Sequence, residues 1–238
     1  GDKSTKEEYK SLFRHRTFGP QWKNENVAFI DSLEAPVGAW VNALVVDKSH
    51  RNSLKKNNNA KEQLLITLPN ANQKGEWAER YAARLSNAKK HYEQTSTNAK
   101  KMEMLIEGGA KNEFMIEVYQ QVLKLTHFSF ETLLLLEQYD KSTSEKEVQE
   151  AMENIMKQRT KFNLLRNELE TVYGQTRILN KPENYILDQD HHRHPANQTI
   201  NFDWQFYSEL LFLDKIEEHF KNQSPFNEGQ SKTKLELQ

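Results

Sequence analysis

The chain has 238 residues, 33 Lys+Arg against 34 Asp+Glu, a formal net charge of -1 and no cysteine. That balance gives no global field toward nucleic acid or an anionic membrane, and the missing thiol excludes disulfides, thiolate metal sites and a cysteine nucleophile. Mean hydropathy is -0.89, yet the apolar residues recur with helical period, which fits long helices with wide solvated faces better than disorder.

No apolar run approaches the length of a membrane span. Residue 1 is glycine rather than methionine, the mark of a processed or engineered start, so the chain is read as a candidate fragment.

Residues 3–16 predict a short helix capped by Thr5, with Glu7 and Glu8 in its first turn and a stop at Gly19-Pro20. Between 25 and 50 the apolar residues from Val27 to Val45 keep helical spacing, but Pro36 and Gly38 interrupt it. Two short helices or one broken helix are expected. Residues 51–62 are an Asn-rich loop, Leu64–Pro69 a short strand or extended tether, and 70–75 a turn.

From Trp77 to Ile106 the pattern predicts one long helix with a single seam through Tyr81, Leu85, Ala88, Tyr92, Thr95, Ala99 and Met102, closed by Gly108-Gly109. A second helix with a broader apolar face, hence the most buried, runs from about Lys111 to Tyr139. After a capping turn at 140–145, a third carries Val148, Met152, Ile155, Phe162, Leu165, Leu169 and Val172 on one side. Thr199–Phe220 predicts a fourth, aromatic helix that closes the bundle through Phe202, Phe206, Leu210, Leu213 and Ile216.

The expected fold is all-α: an antiparallel bundle of three long helices plus a C-terminal aromatic helix, with an irregular, mostly helical N-terminal segment. The expected division is 1–70 as that segment, a candidate linker to an absent catalytic domain; 71–222 as the bundle; and 223–238 as a frayed polar tail.

The chemically richest stretch is 180–212, with three histidines and three aspartates beside Trp204 and other aromatic residues. Pro195 disfavours helical geometry at His194. If the segment is extended, Asp188, Asp190, His192 and His194 share one side. Two carboxylates and two imidazoles suit zinc or another borderline divalent ion. The plainer reading is a structural lock, in which the aspartates accept hydrogen bonds from imidazole or backbone. A third is a contact surface for a ligand or another domain, with His191, Arg193, Trp204 and Tyr207 as its residues. Trp204, Phe206 and Tyr207 also offer a sugar-stacking platform, although aromatic residues at this spacing on a helix are usually core. No cofactor other than such an ion is expected.

KEEYKSLFRHRTFG, EAPVGAWVNALV, LLITLPN with KGEWAERYAARL, and RILNKPENYILDQDHHRHPANQTINFDWQFYSELLFLDKI follow one another along the chain. Together they resemble the C-terminal all-helical region of bacterial, Bacteroidetes-type, family 20 glycoside hydrolases, the β-N-acetylhexosaminidases. In that family the chemistry resides in a (β/α)8 barrel, where an adjacent Asp-Glu pair serves substrate-assisted cleavage. In this chain each Asp is followed by Lys, Ser, Gln, His or Trp, and the strand–helix alternation of a barrel is missing.

The resemblance therefore implies a non-catalytic accessory domain with no catalytic residue of its own. Its partner would be the catalytic barrel of the same polypeptide or of a neighbouring subunit, in bacterial carbohydrate metabolism. It also implies a periplasmic or cell-surface location. The alternatives are a self-standing carbohydrate-binding or protein-interaction module, and a metal-dependent site at Asp188–His194.

Overall fold

The computed structural model describes residues 5–47, 64–180 and 206–221, and most of these are helical. The Asn-rich stretch 51–62, Phe202 and the polar tail lie outside the described residues.

α1 (Lys6–Phe18) starts with a capping box: the Thr5 hydroxyl accepts from the Glu8 N–H, and the Glu8 carboxylate accepts from the Thr5 N–H. Those hydrogen bonds hold the Glu8 carboxyl below its ordinary pKa. Gly19, at φ 98, ends the helix. α2 (Asn24–Val27) leads into a 3-10 turn (Ala28–Ser32) and then α3 (Glu34–Trp40). Pro36 does not interrupt this last helix. It sits in the first turn, where a missing N–H forfeits no hydrogen bond.

Residues 64–69 are extended beside 44–46. The two stretches meet in an antiparallel bridge between Val45 and Leu65, with Val46 N–H donating to Leu64 O at 2.9 Å and Ile66 N–H to Leu44 O at 3.1 Å.

The long helix expected from Trp77 is divided at Tyr81 into α4 (Glu76–Arg80) and α5 (Ala82–Glu107). The i to i−4 bonds continue through the break, Tyr81 N–H to Trp77 O and Leu85 N–H to Tyr81 O. Tyr81 leaves helical geometry (φ -103, ψ 17) at the point where its hydroxyl meets Thr67.

The buried seam of α5 also differs from the apolar pattern. It runs through Leu85, Ala88, His91, Thr95, Asn98, Met102 and Leu105, while Tyr92 and Ala99 lie half-buried at its edge. Asn98 donates to the Ser32 hydroxyl and Gln94 to the Ser32 carbonyl, so the N-terminal segment supplies polar partners that let polar residues face inward.

α6 (Glu113–Lys141) is capped by the Asn112 side chain, which accepts from Met115 N–H. It is the central helix and contributes to all three hydrophobic clusters. The third expected helix is two, α7 (Glu145–Met156), opened by a Ser144–Glu147 capping box, and α8 (Gln158–Gly174). Lys157 between them stays right-handed, so their direction is only locally perturbed. α9 (Tyr207–Lys221) is the aromatic closing helix, and Phe206, Phe212, Leu213, Ile216 and Phe220 are buried on or beside it.

The main cluster joins Ala43–Val45, Leu65 and Ile66 to Trp77, Leu133, Leu136, Ile155, Phe212 and Phe220. A second joins Phe18, Val27 and Phe29 to Met102, Leu105 and Ile116. The N-terminal segment thus packs on the long helices. A third cluster stacks Phe128, Phe162 and Phe206.

Gly108, at the end of α5, shows how tightly the N-terminal segment is seated. A Cβ there would lie 2.5 Å from Trp22 Cζ2 and 3.1 Å from Met104 O. Overpacking of this kind costs about 1–3 kcal/mol. Gly108→Ala should therefore lower the urea midpoint accordingly, and an unchanged midpoint would mean that Trp22 does not rest on this glycine.

Candidate functional site

The most constructed region is the strap formed by residues 42–46 and 64–69, where cationic and aromatic side chains consume backbone carbonyls. Arg84, on the first turn of α5, donates to the carbonyls of Asn42, Ala43 (2.8 Å), Val45 (2.7 Å) and Val46 (3.3 Å). No carboxylate pairs with it among the described residues. Burial works against its charge and lowers its pKa, and four oriented carbonyl dipoles take the place of a counter-ion. The forked guanidinium suits this task because its donors are fixed in one plane.

The second half of the strap is held from two sides. Trp77 Nε1 donates to Thr67 O at 2.7 Å, and the Tyr81 hydroxyl accepts from Thr67 N–H at 3.1 Å. From α9, Lys215 Nζ donates to Ile66 O at 3.1 Å. His219 Nε2 lies 2.8 Å from Pro69 O; a carbonyl only accepts, so this nitrogen carries the hydrogen. Burial holds the His219 ring below its ordinary pKa.

The turn before α4 is fastened to the end of α6. Asp140 is fully buried. One carboxylate oxygen accepts from Ala78 N–H at 2.8 Å, and its carbonyl accepts from Gly75 N–H at 3.1 Å. Lys74 donates to Tyr139 O at 2.7 Å, with its ammonium 3.7 Å from the centre of the Tyr139 ring. Burial lowers the Lys74 pKa, against the pull of Asp140. The arrangement is mechanical: it fixes one short segment against three helices.

Sequence reasoning singled out none of Arg84, Lys74, Asp140, Lys215 or His219. The available signal was Arg84, a cation one residue from the apolar seam position Leu85 in the KGEWAERYAARL run.

Of the residues singled out in 180–212, Asp188, Asp190, His191, His192, Arg193, His194 and Trp204 lie outside the described residues. Tyr207 is described; it opens α9 and is half-buried. Phe206 beside it is buried, with its ring 5.7 Å from Phe162 in an edge-to-face contact. Among the described residues no group of three or more His, Asp and Glu is placed to hold a metal ion, and no helix is long and apolar enough to cross a membrane.

Among the described residues, surface clefts indent the helices, and three of them bear on function. One lies between α7 and α9, lined by Met152, Met156 and Phe220. A second is mostly apolar and lies between the N-terminal segment and α6, lined by Leu33, Val37, Val118 and Val122. The third, between α5, α6 and α8, contains His127 and three lysines. No protein-family model, no curated protein and no solved structure matches the chain.

Proposed function

We propose that this chain is a non-catalytic helical accessory domain of a β-N-acetylhexosaminidase-like glycoside hydrolase, which braces or completes the catalytic barrel or mediates contacts between subunits. The observation that carries this reading is the strap. Four of the stretches that carry the resemblance, EAPVGAWVNALV, LLITLPN, KGEWAERYAARL and SELLFLDKI, are scattered along the sequence. In the fold they meet in one place, joined by Arg84 to 42–46, by Trp77 and Tyr81 to Thr67, and by Lys215 and His219 to Ile66 and Pro69. The side chains of Arg84, Trp77 and Lys215 are spent on the strap's backbone, which supports a bracing role.

The reading is tested by assaying the purified chain against an aryl N-acetylglucosaminide, alone and after mixing with a family 20 catalytic barrel. The chain alone should give no turnover, and it should raise the melting temperature of the barrel. Turnover by the chain alone would overturn the proposal, as would a barrel indifferent to its presence.

A further inference from the structure

The cleft between α5, α6 and α8, of about 290 Å³, combines features that the accessory role does not use. Two stripes of polar residues face each other across it. Ser96, Lys100 and Glu103 follow one another a turn apart on α5, and Gln120, Lys124 and His127 do so on α6. Lys161 and Leu165 of α8 form the third wall, and Ala99 and Leu123 give it an apolar floor.

His127 is held by its neighbours. The Thr95 hydroxyl lies within hydrogen-bond reach of the carbonyls of His91 (2.8 Å) and Tyr92 (3.0 Å). His127 Nδ1 lies 3.0 Å from the same hydroxyl oxygen. The ring is further fixed by stacking on Tyr92, with centroids 4.1 Å apart. The ring is also in hydrogen-bond reach of the Tyr92 backbone. Burial is the largest influence on this ring and lowers its pKa; Glu131 raises it, Lys161 lowers it, and the hydrogen bond to the Tyr92 backbone raises it.

The lysines differ in their commitments. Lys124 pairs with Glu168 at 2.9 Å, and Lys161 with Glu131, and neither glutamate lines the cleft. Lys100, Ser96, Gln120 and Glu103 make no hydrogen bond or ion pair among the described residues. An ammonium, an amide, a hydroxyl and a carboxylate without side-chain partners among the described residues thus line one cleft, beside the imidazole of His127. A few placed polar groups around apolar surface is the usual make-up of a small-molecule site.

We propose that this cleft binds a small hydroxylated oxyanion, of the chemistry shared by sugar phosphates and sugar acids. Its phosphate or carboxylate lies between Lys100 and Lys124. A ligand hydroxyl hydrogen-bonds the imidazole of His127, a second one donates to Glu103, and the carbon skeleton covers Leu123 and Leu165. Glu103 disfavours a bare anion that has no hydroxyl to donate. This inference is independent of the accessory role, since none of these residues belongs to the strap.

The test is calorimetric titration of the 238-residue chain at low salt and neutral pH with glucose 6-phosphate, glucuronate, glucose and inorganic phosphate. Saturable binding of glucose 6-phosphate or glucuronate is expected, with glucose and inorganic phosphate weaker by about tenfold or more. Preference for the phosphate ester assigns a dianion and preference for glucuronate a monoanion; either supports the site. Lys100 is exposed, so Lys100→Ala should weaken binding about tenfold without moving the melting temperature. His127→Gln should weaken it while keeping a polar group against Thr95. Lack of saturable binding to both anions, equal binding of inorganic phosphate, or binding untouched by Lys100→Ala would each overturn the proposal.

Discussion

Phe162→Ala should be the most damaging single truncation in the bundle. The ring is fully buried. It lies between Phe128, at 5.4 Å between centroids, and Phe206, at 5.7 Å, so it joins α6 to the residue that leads into α9. Removing a buried aromatic ring loses its transfer free energy and leaves a cavity that neighbours only partly fill. The usual cost is about 3–5 kcal/mol, a large share of the roughly 5–15 kcal/mol by which a domain is stable. Phe162→Leu should recover much of the loss because it refills most of the volume. Urea unfolding of both variants checks this. Equal, small losses would mean that the aromatic stack is not a core element.

Arg84→Met should come next, at about 2–4 kcal/mol, because it strips charge-assisted donors from several carbonyls at once. The apolar stem keeps its volume, so the effect reports the donors rather than packing. Arg84→Lys should rescue only part, since a point ammonium cannot serve the carbonyls that the fork reaches together. A local readout separates loss of the strap from global destabilisation. The amides of Val46 and Ile66, which close the bridge between the two halves of the strap, should lose hydrogen-exchange protection before those in the centre of α6. Unchanged exchange at these two amides would contradict the role given to Arg84.

The sequence rules that held were those in which a residue acts on its immediate neighbours. Thr5 caps α1 as its position implied, the capping turn at 140–145 opens α7 through Ser144, and Gly19 stops α1 with a positive φ that other residues resist. The breadth of the apolar face on α6 marked it as the most buried helix, and it carries many buried residues. What escaped was set by partners distant in sequence. Tyr81 leaves helical geometry where its hydroxyl meets Thr67, and no local breaker residue announces it. His91 and Asn98 are buried on α5 because Gln94, Ser32 and Phe130 receive them or their neighbours, and an apolar period cannot register that. Arg84 has the sequence appearance of a surface cation, and its role depends on a backbone folded back from 42–46. Of the aromatic and histidine-rich residues singled out between 188 and 207, Phe206 and Tyr207 fall within the described chain, the first buried in the core and the second half-buried at the start of a helix.

The most direct test of the accessory-domain account is an activity measurement on native material. Antibody raised against this chain should immunoprecipitate β-N-acetylhexosaminidase activity from extracts of the cells that make it, on a polypeptide well above 28.0 kDa. A precipitate containing only a 28.0 kDa band, without hexosaminidase activity, would contradict the account and leave the helical domain to act on its own.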